Sequence, residues 1–272
     1  MKKNLLILYF FFSSLLILFF GVFENRSLIK KVLKKIISIE KIENVKVNTK
    51  ETKTETNNKK LNFHPDFYWS NEIKKGGYII FLRHTKRNRF GNVRAFDGLE
   101  MTQGLRGEDT YFAERVCLNK QGKEDAKMIG DYFRIHNIKA NYIVTSKSCR
   151  ARQTANLIFE KIDEENNLFI FLSIFKQNNA EMFDNYREKI IEPKIIDYLS
   201  SLKKSENANI FVIAHGGILH PTLFSNEVSQ SELDMDEGGF VIIETKENKL
   251  YYKYKFNKFE NFSSTLNNHL LN

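Results

Sequence analysis

Two apolar runs, Tyr78-Ile79-Ile80-Phe81-Leu82 and Ile210-Phe211-Val212-Ile213, end in Arg83-His84-Thr85 and Ala214-His215-Gly216-Gly217. Short runs of this composition read as β-strands. Each therefore delivers a histidine at its carboxyl end, the first beside an arginine and the second opening a Gly-Gly turn. In an open α/β sheet, ligands bind at the carboxyl ends of the strands. A fold that brings these two ends together builds a pocket with two imidazoles and a guanidinium, which suits a phosphate.

The intervening segments alternate in the manner of an α/β chain. Asn119 is placed to cap a helix running to about Asn137, with Ala126, Ile129, Tyr132 and Phe133 as its apolar stripe. Tyr142–Thr145 reads as a short strand, Arg150–Lys161 as a helix and Leu168–Leu172 as a strand. Asp184–Lys204 reads as mostly helical with an interruption at Pro193. Asn209–Ala214 is the strand before the second histidine, and Ile218–Phe224 starts a short helix. Phe240–Glu244 and Leu250–Phe256 form a closing hairpin with its turn at Glu247-Asn248. The fold class expected is α/β, three-layered, with a mostly parallel central sheet and helices on both faces. Thr85–Val116 has no clear period and reads as a long loop rich in arginine, fit to bind substrate.

Three parts are expected along the chain. Residues 1–24 hold an uncharged run, Leu5–Phe23, long enough to cross a bilayer as a helix. It exceeds the usual signal core of about 7–15 residues, and no small-x-small site follows, so it reads as an uncleaved signal anchor. A cleaved signal peptide is the rival reading. Residues 25–60 begin as a basic amphipathic stretch, Leu28, Ile29, Val32, Leu33, Ile36 and Ile37 against Lys30, Lys31, Lys34 and Lys35. That stretch either lies on an anionic membrane surface or continues the membrane helix as a stalk. A polar linker, Val45–Lys60, follows. Residues 61–272 are the globular domain.

The formal charge is +9 and the pI about 9.3. Lysine is spread throughout, so the charge reads first as a general enrichment in lysine; the functional alternative is attraction to anionic lipid or phosphorylated substrates, and no nucleic-acid motif is present. Lysines and Arg26 after the span outnumber the positive charges before it, which taken alone would place the domain in the cytoplasm. Cys117 and Cys149 are too few for a disulfide scaffold. They are either one bridge in an oxidising compartment or two buried thiols. No His/Cys/Asp spacing matches a zinc site, and no cofactor motif is present.

Hydrolysis of a phosphomonoester needs a nucleophile, cations for the phosphoryl oxygens and a proton for the leaving alkoxide. A neutral imidazole can attack phosphorus and split the transfer into two steps. Arginine binds the oxygens with a planar fork that stays charged. Arg83 stands beside His84. Arg150 opens a helix after a strand, where backbone N–H groups also favour an anion.

With these residues in place, the chain resembles the histidine phosphatase, or phosphoglycerate-mutase-like, superfamily over residues 61–272. The resemblance rests on Phe81-Leu82-Arg83-His84-Thr85, Leu118-Asn119-Lys120-Gln121-Gly122-Lys123-Glu124-Asp125-Ala126, Ser146-Lys147-Ser148-Cys149-Arg150-Ala151-Arg152-Gln153-Thr154-Ala155 and Ala214-His215-Gly216-Gly217, in that order. It implies that His84 is the phosphorylated nucleophile and that Arg83, Arg150 and His215 hold the phosphoryl group. Arg87 is a further pocket arginine in some branches, although Thr85-Lys86 departs from their pattern. Gly216 stands where many members carry an acid, so Glu181, on the segment after the third strand, is taken as the general acid. Gly76-Gly77-Tyr78 and the placement of Cys117 and Cys149 resemble an exported bacterial branch. That likeness implies a Cys117–Cys149 disulfide and a periplasmic domain, against the positive-charge count. It also offers lipopolysaccharide-core sugar phosphates as one substrate class. The expected activity is that of a membrane-anchored phosphomonoesterase on a phosphorylated small molecule or glycan, without metal or cofactor. A catalytically silent phosphate-binding module and a phosphomutase are the alternatives.

Overall fold

Alternate residues of the strand Ile79–Arg83 point to opposite faces of a sheet, and both faces are covered. Ile80 and Leu82 pack with Phe133, Ile143, Ala155, Phe211 and Phe262, whereas Ile79 and Phe81 pack with Phe169, Leu199, Val212 and Leu219. A strand apolar on both sides belongs in the middle of a three-layer α/β domain. The computed structural model describes residues 65–170 and 180–267. Leu61–Asn272 form one compact unit. The expected membrane helix, the basic stretch and the linker lie outside the described residues. Among the described residues no helix is long and apolar enough to cross a membrane.

In chain order the elements are α1 (Pro65–Lys75), β1 (Ile79–Arg83), α2 (Val93–Gln103), α3 (Ala113–Val116), α4 (Lys120–Ile135), β2 (Ala140–Thr145), α5 (Cys149–Phe159), β3 (Glu164–Glu165), α6 (Ala180–Tyr186), α7 (Glu192–Ser201), β4 (Asn209–Ala214), α8 (Gln230–Leu233), β5 (Phe240–Lys246), β6 (Lys249–Phe256) and α9 (Phe259–Asn267). The six strands form one sheet in the order β3-β2-β4-β1-β5-β6. β3, β2, β4 and β1 run parallel, and β5 and β6 add an antiparallel margin. Helices α1, α4, α5 and α9 contribute to the core on one face, and α7 and α8 to the core on the other.

Several local expectations are met for the reasons that motivated them. The Asn119 side chain accepts from the Gly122 amide at 2.8 Å and caps α4. Glu247 and Asn248, with φ of 50° and 56°, form the tight turn between β5 and β6.

Others need correction. Of the strand expected over Leu168–Leu172, residues 171 and 172 lie outside the described residues and 168–170 are not strand; the strand here is Glu164–Glu165, which pair with Val144 and Thr145. Asn166 accepts from the Leu168 amide at 2.9 Å and turns the chain into a 3-10 helix at Asn167–Phe169. The interruption expected at Pro193 takes the form of a π-helical turn, Arg187–Ile191, directly before α7, in whose first turn Pro193 stands. The helix expected from Ile218 is only a 3-10 turn, Pro221–Leu223. The supposed long loop contains α2. Its buried positions Val93, Phe96, Asp97 and Glu100 do follow a helical period, but two of the four are acidic, which hides the pattern from a hydrophobic reading.

Candidate active site

The register of the sheet brings the two histidines together. β1 and β4 are adjacent and parallel, and their last pair is Arg83 with Ala214. His84 and His215 are the next residue on each strand. The His84 amide donates to the Ala214 carbonyl at 3.0 Å, and the two imidazole centroids are 5.2 Å apart. Both residues are buried, with 3% and 4% exposure.

Fixed donors and acceptors set the tautomer of each ring. His84 Nδ1 lies 2.8 Å from the Thr85 carbonyl oxygen, which can only accept, so Nδ1 carries the proton. The His84 Nε2 lone pair faces inward and accepts from Arg150 Nε at 3.2 Å. His215 is the opposite case. Its Nδ1 accepts from Arg150 Nη2 at 3.1 Å, so Nε2 carries the proton. That N–H has Ser146 Oγ at 2.9 Å and Ser148 Oγ at 3.1 Å to donate to. Burial holds the pKa of His84 well below its usual value, and the Arg150 guanidinium lowers it further. Burial does the same to His215, followed by Arg150 and the neighbouring His84.

Arg150 is the hub. It sits in the first turn of α5, immediately after β2 and the Ser146–Ser148 turn. Its two Nη atoms bind the two carboxylate oxygens of Asp97, each at 2.7 Å, with both side chains buried. Asp97 comes from α2, which is itself tied to α5. Glu100 accepts from the Cys149 amide at 3.0 Å and from the Gly107 amide at 2.9 Å, and it pairs with buried Arg152 at 3.3 Å. A carboxylate at a helix N-terminus also meets the positive end of the helix dipole. The Cys117–Cys149 disulfide forms and fixes the same corner.

Arg83 approaches from the end of β1. Its Nη1 donates to the Met235 carbonyl at 2.7 Å. Gly216 leaves room for it, because a Cβ there would stand 3.3 Å from Arg83 Nη1. The Nε atoms of Arg83 and Arg87 are buried and find no acceptor among the described residues. Such donors are costly to leave unmade and fit an anion. Arg83 and Arg87 line a cavity of about 520 Å³ together with Lys86, Arg89, Lys258 and Glu237. Glu237 Oε1 lies 4.0 Å from Arg83 Nη2.

The structure thus gathers His84, His215, Arg83 and Arg150 into one cluster and puts Arg87 on the wall of the adjoining cavity. It does not bring Glu181 there. Glu181 is exposed on the first turn of α6 and does not line that cavity. Sequence reasoning also misses Asp97, Ser146, Ser148 and Glu237. The period of α2 was the available signal for Asp97. Glu237 carries none, because only the antiparallel pairing of β5 with β1 brings it near.

No protein-family model matches the chain, and no curated protein matches it. Solved structures are similar to it. A putative alpha-ribazole-5'-P phosphatase from Escherichia coli is 16% identical, with a TM-score of 0.41 over 65% of this chain and 95% of that one. The protein histidine phosphatase SixA complexed with tungstate is 10% identical, with a TM-score of 0.38 over 66% and 96%. A mycobacterial glucosyl-3-phosphoglycerate phosphatase is 13% identical, with a TM-score of 0.42 over 67% and 99%.

Proposed function

We propose that this chain is a phosphomonoesterase of the histidine phosphatase superfamily, that it works through a phosphohistidine at His84, and that its N-terminal span anchors it to a membrane. The observation that carries the reading is the fixed tautomer of His84. Its Nδ1 proton is held by the Thr85 carbonyl, and its Nε2 lone pair points at Arg150. A buried imidazole kept neutral, with one lone pair facing cationic donors, is a nucleophile prepared for a phosphoryl group.

Substrate enters as a dianion. Arg83 and Arg87 offer Nε–H donors that have no acceptor among the described residues, and Arg150 offers its fork once the phosphoryl oxygens replace the Asp97 carboxylate. His84 Nε2 then attacks phosphorus, and the bond from phosphorus to the ester oxygen breaks. His215, beside Arg150, supports the oxygens as charge accumulates, and a bound dianion raises its affinity for a proton. Water next attacks the phosphohistidine, the P–N bond breaks, and inorganic phosphate leaves. Most of the rate gain comes from positioning and charge stabilisation.

Anchoring rests on Leu5–Phe23, an uncharged run of spanning length. The Cys117–Cys149 bond supports placing the domain on the extracytoplasmic side, since disulfides persist in oxidising compartments. The natural substrate is then a phosphorylated small molecule or glycan on that side. The test is release of phosphate from an aryl phosphate by the full chain, without added metal, beside His84→Ala. Turnover lost in the variant supports the reading. A folded wild type that matches the variant rejects it in favour of a phosphate-binding module. Protease accessibility of the domain in intact spheroplasts tests the topology.

A further inference from the structure

We propose that Glu237 is the general acid that protonates the leaving oxygen, and the base that later activates water. The inference rests on the phosphohistidine reading above and supplies the proton source it lacks. The sheet itself places the residue. β5 runs antiparallel to β1, so the start of β5 lies at the end of β1, where the nucleophile stands. The Arg83 amide donates to the Gly239 carbonyl at 2.9 Å. The Gly238 amide, at a positive φ of 84°, reaches back to the Arg83 carbonyl at 3.1 Å and to the His84 carbonyl at 3.2 Å. Glu237 is therefore bolted to the backbone of the nucleophile, and its carboxyl opens into the same cavity as Arg83 and Arg87.

Of the other acids on the cavity wall, Asp125 pairs with Lys86, Asp236 with Asn257 and Lys258, and Glu260 belongs to α9, without the backbone tie to Arg83 and His84 that Glu237 has through Gly238. Asp97 accepts from Arg150 with both oxygens and has no proton to give. Glu100 accepts from two amides and pairs with Arg152. Glu181 is exposed and away from the cavity wall. Among the described residues Glu237 pairs with Arg83 alone, loosely at 4.0 Å, so its carboxyl keeps an oxygen for a ligand. Burial raises its pKa, against the pull of Arg83 and Arg87, which favours the protonated form an acid needs.

In the first step, the Glu237 proton passes to the ester oxygen as its bond to phosphorus breaks, releasing a neutral alcohol and leaving a carboxylate. In the second, that carboxylate takes a proton from the water that attacks phosphohistidine, and the starting acid is restored.

The experiment measures first-turnover phenol release by the full chain, by Glu237→Gln and by His84→Ala. It uses phenyl phosphate, whose leaving group needs a proton, and dinitrophenyl phosphate, whose leaving group does not. Glu237→Gln is expected to lose on the order of 100-fold or more on phenyl phosphate and only a few-fold on dinitrophenyl phosphate. Equal losses on both substrates, or no loss on either, would overturn the assignment. Should the glutamine variant fail to fold, Glu237→Asp is judged by the same ratio. Undiminished turnover by His84→Ala overturns the phosphohistidine reading itself, a result separate from either outcome for Glu237.

Discussion

Arg150 Nε donates to His84 Nε2 at 3.2 Å, while the fork of the same guanidinium is occupied by Asp97. In the proposed mechanism these are the nucleophile and the phosphate-binding cation, and Asp97 occupies the fork that the phosphoryl oxygens would take. A substrate dianion has to exchange one acceptor for another on a buried guanidinium.

That exchange makes Asp97 a competitor of the product. Asp97→Asn removes the competing charge, so inorganic phosphate is expected to inhibit the variant at about tenfold lower concentration, a change of roughly 1.4 kcal/mol. The same change leaves Arg150 partly unpaired in a buried site and costs about 3 kcal/mol of stability. Phosphate inhibition curves and urea unfolding check the two arms. A variant that is less stable but no more sensitive to phosphate contradicts the competition.

Reduction of the Cys117–Cys149 bond releases a loop with a sequence separation of 32. On chain-entropy grounds the bond contributes about 4 kcal/mol. Unfolding free energies from urea titrations with and without reductant, and with Cys117→Ser/Cys149→Ser, are expected to fall by that order. Because Cys149 adjoins Arg150 at the start of α5, turnover of the reduced protein is expected to drop before it unfolds.

Acid acts on the buried histidines with a definite sign. His84 and His215 titrate well below their usual value when folded, chiefly through burial and then Arg150. In the unfolded chain they take up protons near pH ~6.5. Below that pH the unfolded state binds more protons, so stability falls as pH falls. From about pH 6.5 downward, each histidine lowers the folded-to-unfolded ratio by roughly tenfold per pH unit. Urea unfolding across that window is expected to be less pH-dependent in His84→Gln than in wild type. Identical slopes would contradict the burial of a neutral ring.

The Glu100 contacts explain how α2 holds Asp97 in place. Glu100→Gln keeps the shape but removes the charge paired with Arg152 and facing the amide of Cys149. Stability is expected to fall by about 3 kcal/mol. Loss of activity should follow from misplacement of Asp97 and Arg150, with KM for an aryl phosphate rising more than kcat falls. The ratio of the two, measured by steady-state kinetics, distinguishes this from damage to His84.

Much of this architecture is legible in the sequence where one periodicity dominates. β1 and β4 are uninterrupted apolar runs, and the Asn119 cap and the Glu247-Asn248 turn have their own local chemistry. The histidines are legible because each follows a strand directly, and Arg150 because it opens the helix after one. What escapes is whatever depends on pairing between distant segments. α2 hides because Asp97 and Glu100 are buried as ion-pair and amide partners and not as hydrocarbon. Glu165 enters a strand only through the register of β2. Glu237 reaches the site only because β5 turns antiparallel, which nothing in Met235-Asp236-Glu237-Gly238 announces.

The most direct test of the central claim is to trap the covalent intermediate. The full chain is mixed with radiolabelled phenyl phosphate, quenched in alkali and mapped by peptide mass. One phosphoryl group on His84, stable in alkali, lost in acid and absent from His84→Ala, is the predicted result. Turnover with no phosphoryl group on His84, or with the label on another side chain, would contradict the account.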